Sequence, residues 1–87
     1  MTLPEVRTVV LEELANIAPE ADIGGLDPGA VLRDELDIDS MDFLNFVIAL
    51  HERLAVDIPE ADYARLVSIK AIVDYLTARL AGKNRTR

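Results

Sequence analysis

The chain has 87 residues, 51% hydrophobic and 29% charged, which suits one small globular domain and not a disordered segment. It contains no cysteine, so disulfides, thiolate catalysis and cysteine metal sites are excluded. The formal net charge is -7, and residues 1–82 hold six basic groups against sixteen acidic ones, which argues against nucleic acids and anionic membranes as ligands and for partners with basic patches.

Few aromatics are available, so Leu, Ile, Val and Ala must fill the interior. No apolar run is long enough for a membrane span, and residues 1–17 lack the basic start and apolar core of a signal peptide. The expected compartment is the cytoplasm, and the expected state is a monomer.

The first helical pattern covers Leu3 to Ile17. Leu3, Val6, Val10, Leu14 and Ile17 share one face, with Val9 beside it. Thr2 is the candidate cap, Pro4 suits the first turn, and Pro19 follows the stop. A long connection runs from Ala18 to Asp39. Its anchors are read as Ile23, Leu26, Val31, Leu32 and Leu36, with Asp27-Pro28 able to begin one helical turn.

A second long helix is expected from Ser40 to Leu54, with Asp39 as N-cap and Asp42 three residues later completing a capping box. A short helix begins with Pro59 at its first position, and Tyr63 and Leu66 face inward. The last helix starts after Ser68, a good N-cap. It carries Ile69, Ile72, Val73, Leu76 and Leu80 on one stripe and ends at Gly82. No strand pattern is present. The reading is an all-α bundle of three long helices and one short one in a single domain over residues 1–82, followed by a basic, frayed tail over 83–87.

The second long helix has more apolar residues than one buried face needs. At about 100° per residue, Phe43, Phe46, Val47, Leu50 and Leu54 gather on one side and Met41, Leu44 and Ile48 on another. Asp42, Asn45, Ala49 and Glu52 separate the two on one flank. The second row is read as a partner-docking face; the competing reading is that the loop covers it as core.

Ser40 starts that row. It is a poor hydrolase nucleophile, because there is no Gly-x-Ser-x-Gly elbow and His51, the sole histidine, lies roughly 16 Å along the helix. A phosphate ester on Ser40 fits better, since a helix start offers free N–H groups and a positive dipole end. Alone, an Asp-Ser pair at a helix start is more often only a cap. An EF-hand is the weaker reading of the acidic run Asp34 to Asp42, which lacks the required spacing, central Gly and terminal Glu.

The segment Leu32-Arg33-Asp34-Glu35-Leu36-Asp37-Ile38-Asp39-Ser40-Met41 resembles the acyl carrier protein signature. Asp42 to Leu54, Ile58-Pro59-Glu60 and Ser68 to Leu76 resemble that family's later helices in order, so the likeness covers nearly the whole chain. It implies a four-helix bundle that is not an enzyme. A phosphopantetheinyl transferase would move 4'-phosphopantetheine from coenzyme A onto Ser40, and acyl groups would ride as thioesters on the arm's thiol. Asp39 would help the transferase place its metal ion, while the carrier holds no metal of its own. Met41, Leu44 and Ile48, with Asp42 and Glu52, would dock acyl-transferring and acyl-modifying enzymes, and the bundle interior would shelter an apolar chain.

The chain departs from the pattern at Asp37, where a glycine is usual, and at Met41, where leucine is usual. Asn45, His51 and Arg53 stand where fatty-acid-synthesis carriers often have acidic groups. The resemblance therefore leaves fatty acid synthesis, specialised lipid or polyketide synthesis, and aminoacyl or D-alanyl carriage open. An unmodified helical interaction module is the alternative from another class.

Overall fold

The computed structural model describes residues 3–85, and side chains over residues 4–81. Helix α1 spans Leu3–Ile17, α2 Leu32–Leu36, α3 Ser40–Leu54 and α4 Ile69–Arg85. Two 3₁₀ segments, Ile23–Gly25 and Glu60–Arg65, lie between them, and no strand occurs among the described residues. The all-α expectation holds, as do the bounds of α1 and α3. The proposed Thr2 cap falls outside the described residues, as does the Leu3 side chain.

The core follows from the 3.6-residue period. Helix α1 packs against α3 and α4. Val6, Val10 and Leu14 meet Phe46, Val47 and Leu50 of α3 and Ile69, Ile72 and Leu76 of α4 in one buried cluster. Loop residues Ile23, Leu32, Leu36 and Ile38 seal it. Ser68 caps α4 as expected: its Oγ accepts the Ala71 amide at 3.1 Å.

The long connection is ordered by main-chain hydrogen bonds. The Leu32 amide donates to the Val67 carbonyl, and the Lys70 amide to the Pro28 carbonyl, each at 2.9 Å. These bonds tie the loop to the start of α4.

Four local expectations are corrected. The helical turn forms at Leu32–Leu36, whereas Asp27-Pro28 makes a tight turn closed by the Ala30 amide on the Asp27 carbonyl. Val31 is not an anchor. It stands before α2 and is 45% exposed, because Leu32 and Leu36, one turn apart, take the inward positions. Pro59 precedes the short element as its extended N-cap, and that element is 3₁₀. Gly82 does not end α4, which continues to Arg85. A glycine stop needs a left-handed residue, and no glycine has positive φ among the described residues.

Polar contacts link the elements of the bundle. Arg53 pairs with Glu12 at 2.9 Å and Glu13 at 3.0 Å, joining α3 to α1. The segment Glu60–Arg65 is held to α4 by the Tyr75 hydroxyl, which donates to Asp62. Arg65 and Arg79 lie over the Tyr75 ring, at 5.1 and 5.6 Å from its centre.

Burial, and then the bond to the Asp62 carboxylate, raise the Tyr75 phenol above its ordinary 10.0. A raised folded value means that the folded state holds this proton more tightly. The resulting stability is complete below about pH 10 and is lost as pH rises through the folded value. Denaturant titrations between pH 8 and 12 are expected to show wild type losing stability more steeply than Tyr75→Phe above about pH 10. Parallel pH profiles would contradict this account of the contact.

Candidate functional site

The site begins with the cap. Asp39 is extended, at φ -94° and ψ -178°, and its Oδ1 accepts the Asp42 amide at 2.8 Å. The return bond, from the Asp39 amide to Asp42 Oδ2, is long at 3.5 Å. Both halves of the expected capping box are present. Because Asp39 supplies the cap, the Ser40 hydroxyl has no capping duty.

Ser40 is the first residue of α3 and is exposed. Its Oγ accepts a hydrogen bond from Arg33 Nη2 at 3.2 Å. No pattern in the sequence points to Arg33. It lies seven residues before Ser40, and the two meet only because the chain reverses at Asp37, which is left-handed at φ 52°. Asp is one of the few residues other than glycine that visits this region readily, so the departure from the usual glycine is structurally tolerated.

Ser40 and Arg33 stand on the rim of a groove of about 400 Å³. Its apolar lining includes Val31, Phe43, Leu44, Leu66 and Val67, with Tyr63 and Glu60 on the far wall. The Phe43 and Tyr63 rings meet edge to face at 6.2 Å, joining α3 to the segment Glu60–Arg65.

The two stripes of α3 separate as expected. Phe46, Val47, Leu50 and Leu54 are buried, and Phe43 is half-buried. Met41, Leu44 and Ile48 are 63, 37 and 43% exposed, so the loop does not cover them. Asp42 is partly exposed and Glu52 is exposed. With Val31 and Val67, this stripe comprises the large exposed apolar residues among those described.

The remaining polar residues of α3 divide. Asn45 is exposed, whereas the Arg53 cation is engaged by α1. His51 Nδ1 lies 2.7 Å from the Val56 carbonyl, where as donor it closes the C-terminal turn of α3. His51 is thus a terminus-binding residue, far from Ser40. No group of three or more metal-ligating side chains is arranged to hold an ion among the described residues.

The model of a family described as "phosphopantetheine attachment site" matches residues 5–76. The chain belongs to this family. It is 36% identical over 72 residues to an acyl carrier protein of Campylobacter hominis, covering 83% of this chain and 85% of that one. It is 35% identical over 72 residues to that of Campylobacter fetus, covering 83% and 87%. The solved acyl carrier protein of Enterococcus faecalis superposes with a TM-score of 0.78 over 91% of this chain and 99% of that one, at 24% identity, and shows the same fold.

Acyl carrier proteins are carriers and not enzymes, and they bear a covalent 4'-phosphopantetheine arm. This chain's site fits that group. An exposed hydroxyl sits on a groove rim, a guanidinium lies within hydrogen-bond reach, and an apolar trough runs alongside.

The contrast between stripes is testable by denaturant unfolding. Leu44→Asp and Ile48→Asp are expected to fold, each costing less than about 1 kcal/mol, whereas Phe46→Ala is expected to cost about 3–5 kcal/mol. A collapse of the Leu44 or Ile48 variants would place that stripe in the core.

Proposed function

We propose that Ser40 is the attachment point of the arm. The observation that carries this is the different state of the chain's two serines. Ser68 is 7% exposed with its Oγ accepting the Ala71 amide, while Ser40 is exposed and released from capping by Asp39. In the attachment step the Ser40 Oγ–P bond forms. The pyrophosphate P–O bond of coenzyme A breaks, the adenosine bisphosphate half leaves with that electron pair, and the hydroxyl proton passes to a base of the transferase.

The arm supplies a thiol that the 87 residues lack, and acyl groups are held on it as thioesters. This chain's residues position and present it. Asp39, immediately before the serine, assists the phosphopantetheinyl transferase in placing its metal ion. Met41, Leu44 and Ile48 form the apolar row on which partner enzymes dock, and Asp42 and Glu52 attract their basic patches.

The groove beside Ser40 favours acyl cargo, because Val31, Phe43, Leu44, Ala64, Leu66 and Val67 make most of its lining apolar, with Glu60 and Tyr63 its polar members besides Arg33 and Ser40. The reading is a carrier in fatty acid biosynthesis or a related lipid or polyketide pathway, acting as a monomer in the cytoplasm. No helix among the described residues is long and apolar enough to cross a membrane.

The test is intact mass spectrometry after incubation with a phosphopantetheinyl transferase, magnesium and coenzyme A. Wild type is expected to gain one arm and Ser40→Ala none. A wild type left unmodified by several competent transferases would overturn the reading, as would a Ser40→Ala protein modified equally well. In that event, partner binding that survives Ser40→Ala would support an unmodified interaction module.

A further inference from the structure

Arg33 lies on α2, and its guanidinium reaches across the turn at Asp37 to the Ser40 hydroxyl. Four other described cations have anionic or aromatic partners. Arg53 is held by Glu12 and Glu13, Lys70 by Asp74, and Arg79 by Asp62 and the Tyr75 ring, which Arg65 also covers. The contact described for Arg33 is to a neutral oxygen, although Asp34, Glu35, Asp39 and Asp42 all lie nearby in sequence. The cation is thus held at the one atom where the proposed modification adds a negative charge.

We infer that Arg33 binds the phosphodiester of the arm and sets the direction in which the arm leaves the protein; this rests on the attachment reading for Ser40. The two non-bridging phosphate oxygens lie two bonds beyond Ser40 Oγ, through the phosphorus. A guanidinium already within 3.2 Å of that oxygen reaches them by side-chain rotation. Its planar fork matches two phosphate oxygens, and the bond changes from one with a neutral acceptor to a charge-assisted one of roughly twice the strength. The same cation offsets repulsion between the phosphodiester and the carboxylates of Asp39 and Asp42.

Direction follows from the groove. Arg33 and Ser40 line it together with Val31, Tyr63 and Val67. A phosphate held by Arg33 leans the arm over that trough, whose lining includes Leu44 of the docking row but neither Met41 nor Ile48. Met41 and Ile48 stay open to partners, and Leu44 is shared between the groove and the docking row.

The test uses full-length protein carrying the arm, with loading verified by intact mass, as wild type, Arg33→Gln and Arg33→Lys. Phosphorus NMR and amide shifts report on the arm's root without any partner enzyme. In wild type, the phosphorus resonance is expected to move toward that of a solvent-exposed diester as salt is raised to about 1 M, where the screening length falls to about 3 Å. Arg33→Gln is expected to show the exposed-diester resonance at every salt concentration. It should also lose the amide shift changes that arm attachment causes at Val31, Tyr63 and Val67. Arg33→Lys, a point charge without the fork, is expected to lie between.

Equal resonances and equal groove shifts in wild type and both variants would overturn the inference while leaving the attachment reading intact. A wild type that takes no arm would overturn both. Arg33 is exposed, so the variants are expected to fold, and an unchanged far-UV circular dichroism spectrum confirms that comparison.

Discussion

Asp39 accepts the Asp42 amide at 2.8 Å, and that bond sets where α3 begins. A helix start fixes the phase of every side chain after it. With the start at Ser40, Phe46, Val47 and Leu50 turn into the bundle, Met41, Leu44 and Ile48 turn to solvent, and the Ser40 hydroxyl stands on the groove rim. Had Ser40 been the cap, its oxygen would have been occupied by a backbone amide, as that of Ser68 is at α4. The division of labour between two adjacent residues is what makes an exposed hydroxyl without a capping role compatible with a stable helix terminus.

The rest of the fold holds the surroundings of that terminus still. The loop before it is bonded to the start of α4 through the Leu32 amide and the Pro28 carbonyl, which brings Val31 beside Val67 on the groove rim. The opposite wall, Glu60–Arg65, is held to α4 by Asp62 and the Tyr75 cluster and to α3 by Phe43 against Tyr63. A small domain with few aromatics uses these rings at the two joints of that six-residue segment. Arg53 fixes the far end of α3 to α1 by charge, so a cation at a position often acidic in fatty-acid-synthesis carriers is engaged inside the molecule.

Much of this was legible in the sequence wherever the determinant was local. The bounds of α3 followed from Asp39, Asp42 and the apolar period, and Ser68 announced α4. The second stripe on α3 could be read as surplus apolar surface, but only the folded chain shows that nothing covers Leu44 and Ile48. The shortest elements were legible only in part: the segment after Pro59 was placed but read as a helix, and α2 was not placed. Five residues at α2 contain too little of a helical period to separate Val31 from Leu32, and a 3₁₀ segment has no distinct sequence period. Gly82 misled because a glycine can end a helix or pass through one, and the backbone angle decides. The Arg33–Ser40 contact had no sequence signal, since it depends on a left-handed turn at an aspartate.

The account rests on Ser40 being the hydroxyl that carries the arm, and peptide-level mass spectrometry tests this most directly. Trypsin cleavage after Arg33 and Arg53 releases residues 34–53, in which Ser40 is the only hydroxyl-bearing residue. Digestion of the arm-bearing protein is predicted to place the whole mass increment on that peptide, with fragment ions assigning it to Ser40. An increment on the peptide containing Ser68, or on any other segment, would contradict the account.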